Sequence, residues 1–487
     1  MALLLAAVGV FYIATIREGN FWADDYALYI HHAENIVQGR PYAATGYLYN
    51  PDLPEYSPRA YPPVFPLLLA PVYWTYGLNF HAMKIEGVLF FILSIVAITA
   101  YHSHDLKWPY LFPFIGILGF NPNFWLLKDS VLADIPFLLF FYVTALVAAH
   151  APREGRRWLE WSVATGILLY LCVGTRTIGF TVALGLFIYE FVKYRKLTRF
   201  VVVASVIGLL LLLSQGLILG TGEQSYADQL HPTVKTMLTN AHEYASAFMA
   251  LWVQPWGRLA SRVLFGVTTG LSFVGMHKHL EKGLTTLEAF LVPYVLVVWL
   301  WPSTQGLRFL LPLIPFYIFL MLLGIEEVVR FAGGSKLKIF AAIPVFAIVL
   351  AYTAFFRSAN YGPIRQTDGL PSFIELCNFI NANTSPGDVF VFRRSRALSL
   401  FTARPAGVYS LNGPENLSND VDRFHAAYVV TSSIFEEDRE VLIPYVKTDS
   451  PHLEKVYQNS DFQVFRIDRE STGTTGRVGD TPSAASR

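Results

Sequence analysis

Charge is what this sequence has least of. Only 15% of its 487 residues are Asp, Glu, Lys or Arg, against about a quarter in a soluble globular domain. That is too little to cover the surface of a water-soluble enzyme of this size. The charges also nearly cancel, 37 basic against 36 acidic, so no bulk field points to nucleic acid. Cysteine is almost missing. Cys172 and Cys377 make no disulfide framework, and no CxxC pair marks zinc. There is no Walker loop, no GxGxxG, no HExxH and no internal repeat. What remains is 53% hydrophobic and 15% aromatic. Such a chain is not disordered; it reads as a polytopic membrane protein.

A membrane-spanning helix needs roughly 17–25 mostly apolar residues. About eleven apolar runs qualify or come close: near 2–16, 84–101, 110–127, 131–149, 159–173, 177–192, 200–219, 259–276, 287–301, 307–324 and 339–356. The first has no basic n-region and no small-residue cleavage site, so it reads as a retained helix rather than a signal peptide. Basic residues cluster in four short loops, at Arg153–Arg157, Lys193–Arg199, Lys278–Lys282 and Arg330–Lys338. Two runs separate each loop from the next, so all four share the cytoplasmic side. A further apolar stretch, Tyr61–Gly77, carries Pro62, Pro63, Pro66 and Pro71. Proline breaks helical hydrogen bonding, and this stretch is expected as an interfacial or re-entrant helix. The N-terminus is then cytoplasmic and the C-terminus external, in a plasma or inner membrane. The long loops, about 17–83 and 220–258, fall on the external face, where function is expected.

Residues 1–356 are thus expected to form the transmembrane domain. From about 357 to 470 the apolar runs become short and alternating, as at Asp388–Phe392, Ala426–Thr431 and Val456–Ile467, with amphipathic stretches such as Pro371–Ala382 between them. This reads as a small external α/β domain. The Gly/Ser/Thr-rich stretch 471–487 reads as a disordered tail. The expected fold class is therefore mainly α, a polytopic transmembrane helix bundle with a small external α/β C-terminal domain.

Because charge is scarce, its position carries the functional signal. Asp24 and Asp25 follow the first apolar run directly. Adjacent carboxylates at a membrane edge repel and lose hydration unless a cation, metal or proton compensates; the bland reading is a solvated loop start or a helix N-terminus. Asp129 and Asp134 stand at the external start of the 131–149 run. Asp129 suits an N-cap, whereas Asp134 lies inside the run, where acids usually face a polar cavity or a partner. Arg176 and Arg308 map to the external ends of spans, where ordinary basic anchors are disfavoured; each reads equally as a phosphate contact or as an interface anchor. Lys84 carries the same pair of readings. The histidines, among them His31, His32, His81, His231 and His242, have no metal-ligand spacing. A divalent cation on the acids is admitted but not demanded. External aromatics such as Trp22, Tyr26, Tyr61, Trp74 and Trp256 form either an interface belt or a surface for a sugar ring or isoprenoid. Together these residues suggest substitution at a carbon bearing a phosphate leaving group. A carboxylate takes the proton from the attacking hydroxyl, and cationic groups stabilise the departing phosphate.

At this point the sequence resembles the membrane glycosyltransferases of the GT-C fold, in particular the protein O-mannosyltransferase and aminoarabinose-transferase-like groups. The resemblance is carried by Ala23-Asp24-Asp25-Tyr26 with Ala33–Tyr42 behind it, by Tyr61-Pro-Pro-Val-Phe-Pro-Leu-Leu, by Lys128-Asp129 through Asp134-Ile-Pro136, and by Arg308-Phe-Leu-Leu-Pro312. It covers roughly residues 1–330. The motifs are short, and their order is more specific than any one of them. The resemblance implies sugar transfer from a polyprenyl-phosphate donor at the external face to a lipid, glycan or protein acceptor. It gives the base role to Asp24 or Asp25, with Asp25 slightly preferred, a supporting role to Asp129, and lipid-phosphate contacts to Arg176 and Arg308. Lys84 departs from the family pattern, which often has arginine before the second span. Two other classes are open: a transporter or flippase for lipid-linked or polar solutes, which predicts mid-membrane charges and inverted repeats, and a non-catalytic assembly protein.

Overall fold

The computed structural model describes residues 1–21, 24–53, 56, 58–219, 232–252, 258–331, 335–364, 369–411, 413–448 and 452–468. The chain divides into two compact units. The first is Met1–Ala44 with Ser57–Thr367, and the second is Thr45–Tyr56 with Asp368–Arg487. The boundary expected at 356 falls near the end of the last long helix, and the second unit also claims a short piece of the first loop. The expected tail at 471–487 lies outside the described residues, as do His231, Trp22 and Trp256.

Among its described residues the first unit is mainly helical. Its helices are α1 (Ala2–Ala14), α2 (Asp25–Gln38), α3 (Val64–Tyr76), α4 (Phe80–His102), α5 (Trp108–Gly119), α6 (Pro122–Leu127), α7 (Asp134–His150), α8 (Trp158–Thr175), α9 (Phe180–Tyr194), α10 (Arg199–Leu219), α11 (Val234–Met249), α12 (Arg258–Leu280), α13 (Thr286–Leu300), α14 (Leu313–Phe331) and α15 (Ser335–Ser358). Each apolar run read in the sequence contains a helix. Among the described residues, five segments are by length and composition suited to cross a membrane: Phe80–His102, Trp158–Thr175, Thr177–Tyr194, Arg199–Leu217 and Leu259–Leu280. The remaining apolar helices are shorter, so length alone does not make eleven spans.

Local chemistry explains the breaks. The 110–127 run is two helices, not one. Asn121 accepts a hydrogen bond from the Asn123 N–H (2.9 Å) and Pro122 opens α6, which proline can do because a first-turn N–H needs no partner. The 307–324 run starts with a 3-10 turn, Gly306–Leu310, and becomes α14 only after Pro312. The first loop contains a helix the sequence reading did not name, α2. Asp25 sits in its first turn, favourable to the helix dipole, and it stops at Gly39, whose φ of 66° suits glycine. The proline-rich stretch is helical as α3. It buries Val64, Phe65 and Leu69 and exposes Trp74 and Tyr76.

Helix contacts rely on small residues where chains approach closely. Gly275 of α12 and Gly324 of α14 face each other's backbones. A Cβ on Gly275 would strike the Leu320 carbonyl, and one on Gly324 the Leu271 carbonyl. Membrane helices favour such small-residue contacts because dispersion packing, not hydrophobic exclusion, holds them together.

The second unit is α/β. Its six strands, β1 (Tyr47–Leu48), β2 (Phe390–Val391), β3 (Ala406–Gly407), β4 (Tyr428–Ser432), β5 (Leu453–Gln458) and β6 (Phe462–Ile467), run in the order β1-β3-β2-β4-β6-β5. The first four are parallel; β6 pairs antiparallel with both β4 and β5. Among the described residues, four α-helices accompany them: α16 (Pro371–Asn383), α17 (Ser395–Thr402), α18 (Pro414–Arg423) and α19 (Ile443–Thr448), the last entered through a π-helical turn, Asp438–Leu442. The run at 456–467 is the β5–β6 hairpin rather than one strand. Asn459 makes the turn by accepting from the N–H groups of Asp461 and Phe462. The edge strand β1 comes from the first loop and pairs Tyr47 with Ala406.

Candidate active site

Four charged residues expected from the sequence meet in the first unit. Asp25 lies in the first turn of α2, Asp134 in the first turn of α7, Arg176 at the C-cap of α8, and Arg308 in the 3-10 turn before α14. Arg308 bridges the two acids. Its Nη1 donates to Asp25 Oδ2 at 2.9 Å and its Nε to Asp134 Oδ2 at 2.8 Å. Arg176 Nη1 donates to the other Asp134 oxygen, Oδ1. The result is a chain of alternating charge, Asp25–Arg308–Asp134–Arg176, with no net charge of its own. Asp134 is its buried centre, with a side chain only 2% exposed, whereas that of Asp25 is 29% exposed. Such a chain is worthwhile only because each desolvated charge has a partner.

The surroundings hold this chain in place. Tyr61 donates its hydroxyl to Asp25 Oδ1 at 2.7 Å and stacks on Tyr29 with centroids 4.6 Å apart. The Tyr61 N–H donates to His32 Nε2 at 3.2 Å, while His32 Nδ1 lies 2.8 Å from the Tyr42 carbonyl. These partners assign the proton to Nδ1 and make His32 a neutral tie. The turn bearing Arg308 is pinned by Tyr294, donating to the Phe309 carbonyl, and by Tyr142, donating to that of Pro312. The Arg176 guanidinium lies over the Phe309 ring. Burial, then the like charge of Arg308, holds Arg176 below its ordinary value. Burial pulls Arg308 the same way, but Asp25 together with Tyr29 and Tyr61 outweighs it and raises the guanidinium.

Asp129 and Lys84 go elsewhere. Asp129 Oδ1 accepts from the Arg17 N–H at 2.9 Å, and its Oδ2 accepts from Lys128 Nζ at 2.8 Å. Lys84, almost wholly buried, donates to the carbonyls of Arg17 (2.7 Å) and Gly19. Both side chains therefore grip the backbone between α1 and the Asp24-Asp25 pair. Lys128 lies 3.9 Å over the Trp125 ring, and burial lowers its ammonium against the pull of Asp129. Asp24 is buried at the N-cap of α2, beside Asp25. Sequence reading separated neither the roles of the two clusters nor the positioning parts of Tyr61, Tyr29 and Tyr294; Tyr61 stood out as one of several aromatics and as the head of the Tyr61-Pro-Pro motif, without a role of its own. Among the described residues, no three His, Cys, Asp or Glu side chains group so as to hold a metal ion.

Neither the protein-family models nor the curated proteins include a match to this chain. Solved structures do match. One is ArnT from Cupriavidus metallidurans in the apo state, with a TM-score of 0.61 at 12% identity, covering 95% of this chain and 97% of that one. The same protein bound to undecaprenyl phosphate gives 0.55 at 14% identity, covering 97% and 99%. The chain has the GT-C fold. A second match is the archaeal oligosaccharyltransferase AglB from Archaeoglobus fulgidus, in complex with an inhibitory peptide and a dolichol-phosphate. It has a TM-score of 0.59 at 11% identity and covers 88% of this chain and 69% of that one. The mycobacterial arabinofuranosyltransferase AftD gives 0.57 at 12% identity, and the match takes in 96% of this chain but 40% of AftD. The GT-C fold expected from the motif order is thus observed, at identities that speak to the fold alone.

Proposed function

We propose that this GT-C chain is a membrane glycosyltransferase. It moves a sugar from a polyprenyl-phosphate carrier to an acceptor hydroxyl at the external face of the membrane, with Asp25 as general base. The observation that carries this reading is the neutral Asp25–Arg308–Asp134–Arg176 chain. The similarity to GT-C structures, two of which hold a polyprenyl phosphate, supports it.

The chemistry follows from the charge count. A polyprenyl-phosphate sugar is a phosphodiester with one negative charge. Entering beside Arg308, it competes with Asp25 for the guanidinium, whose five N–H donors match phosphate in a fork. Each contact that Arg308 transfers to phosphate leaves Asp25 Oδ2 open as a proton acceptor. The acceptor hydroxyl attacks the anomeric carbon, its proton passes to Asp25, and the bond from that carbon to the phosphate oxygen breaks. The leaving polyprenyl phosphate gains a second negative charge as this happens. Arg308 and Arg176 therefore bind the transition state more tightly than the donor, which is the condition for catalysis. Asp134 keeps both guanidiniums in register. Lys84 and Asp129 position the base through the Arg17–Gly19 backbone. The charges of Asp25 and Asp134 are answered by the two arginines, so this reading needs no divalent cation to balance them.

A transporter reading needs charge at mid-membrane; here the four residues stand at helix ends and neutralise one another. The test is mass spectrometry of envelope glycans from a deletion strain complemented with wild type or Asp25→Asn. Loss of one glycosylated species in the deletion, restored by wild type and not by Asp25→Asn, is expected. Identical glycans in all strains would overturn the proposal.

A further inference from the structure

Four arginines crowd into twelve residues of the second unit: Arg393, Arg394, Arg396 and Arg404. Arg404 is accounted for, since it donates to the carbonyls of Thr402 and Thr384 at 3.0 and 2.9 Å. The other three surround one side chain, Tyr56. The Arg393 and Arg396 guanidiniums lie 4.7 and 5.8 Å from its ring centre, and Arg394 Nη1 is 3.4 Å from its hydroxyl. Like charges this close repel in a poorly solvated setting. Glu437 answers part of the charge, accepting from Arg393 at 3.1 Å.

Among the described residues, several donors on and just before α17 are buried without a hydrogen-bond partner: Arg393 Nη1, Arg394 Nε, and the hydroxyls of Ser395 and Ser399. The Arg393, Ser395 and Ser399 side chains are each more than nine-tenths buried. Native structures rarely leave such groups unanswered. Ser395 is also the first residue of α17, whose N-terminus has no side-chain cap; helix N-termini attract anions. All the unanswered groups can donate, and two of them belong to guanidiniums.

We propose that this cluster is a phosphate-binding site in the second unit. Its ligand is a phosphate group borne by a saccharide or by a lipid headgroup. Two guanidiniums, a hydroxyl and a helix N-terminus offer more donors than the two coplanar oxygens of a carboxylate can take up. A tetrahedral phosphate uses them. Arg394, the half-buried member, marks the entrance.

Hydrogen exchange of the whole purified chain in detergent tests this, read at the amides of residues 390–402. Millimolar inorganic phosphate is expected to slow their exchange, and acetate at equal concentration is not. Ser395→Ala removes a hydroxyl that has no partner among the described residues, so it leaves exchange without phosphate unchanged. It nevertheless weakens the phosphate response roughly tenfold, the worth of one charge-assisted hydrogen bond; Arg394→Gln acts in the same direction. Glucose 6-phosphate then distinguishes a saccharide phosphate from a lipid one, probed with nanodiscs of phosphatidic acid against phosphatidylcholine, and slowing by either supports the site. No slowing by inorganic phosphate, an equal response to acetate, a full response in both variants, or slowing by neither carrier overturns it. None of these readouts depends on glycosyl transfer.

Discussion

Asp134→Asn isolates the buried centre of the four-residue chain. The carboxylate accepts one hydrogen bond from each of two guanidiniums, at Oδ1 and Oδ2. Asparagine keeps one acceptor and turns an N–H group toward an arginine. Breaking a buried ion pair from one side costs about 3–5 kcal/mol. A large part of that cost is repulsion between the two arginines left facing each other. At a separation of roughly 6 Å and an effective dielectric constant near 20, two unit charges repel by about 3 kcal/mol. Removing one arginine as well should recover most of that amount. Arg176→Met is the choice, because it retains packing on Phe309 while Arg308 keeps Asp25. Tryptophan fluorescence during denaturant unfolding in micelles is the assay. All ten tryptophans precede residue 302, so the signal reports the first unit. The expected result is a loss of about 3–5 kcal/mol in Asp134→Asn and a coupling of about 2–3 kcal/mol with Arg176→Met. Asp25→Asn, at the more exposed end, should cost only about 1 kcal/mol. Simple additivity in the double variant, or an Asp134→Asn protein as stable as wild type, would refute the reasoning.

Three further outcomes follow from particular contacts. Tyr61→Phe removes the hydroxyl donated to Asp25 Oδ1 but keeps the ring on Tyr29. Losing a donor to the charged form raises a carboxylate's pKa, so the acidic limb of the transfer-rate profile should move to higher pH, and an unmoved limb would remove Tyr61 from the site. Gly275→Ala drives a Cβ into the Leu320 carbonyl; a loss of about 1–3 kcal/mol in the same unfolding assay is expected, whereas an exposed helical glycine would gain from the change. In the second unit, burial pushes the Asp438 carboxyl up to about 7. Its folded value is above its ordinary one, so the stability it lends is complete below about pH 4 and lost as pH rises through 7. Hydrogen exchange around β4, corrected for its intrinsic pH dependence, should show easier opening from pH 4 to 7, and Asp438→Asn should flatten that trend.

Much of the fold was legible because apolar runs are a local property. A stretch such as 84–101 must satisfy its own backbone wherever it is buried, and it is a helix. The breaks at Pro122 and Pro312 were in plain view but overridden by the length of the runs around them. The helix α2 went unread because it is only moderately amphipathic and lies in a loop dominated by its acids. In the second unit, strands of two residues such as β3 leave almost no period to detect, and β1 is brought to it from a distant part of the chain.

The candidate site divides along the same line. The amino-acid order by itself determined that Asp25, Asp129, Asp134, Arg176 and Arg308 stand at the ends of apolar segments, because charge is expelled from their middles. It could not determine the pairing. Arg308 meets Asp25 across 283 positions and Asp134 across 174, while Asp129, only five residues from Asp134, turns to the Arg17 backbone instead. Which acid meets which arginine depends on how helices pack and which charges lose water together. That energy belongs to the assembled bundle and to no segment of it.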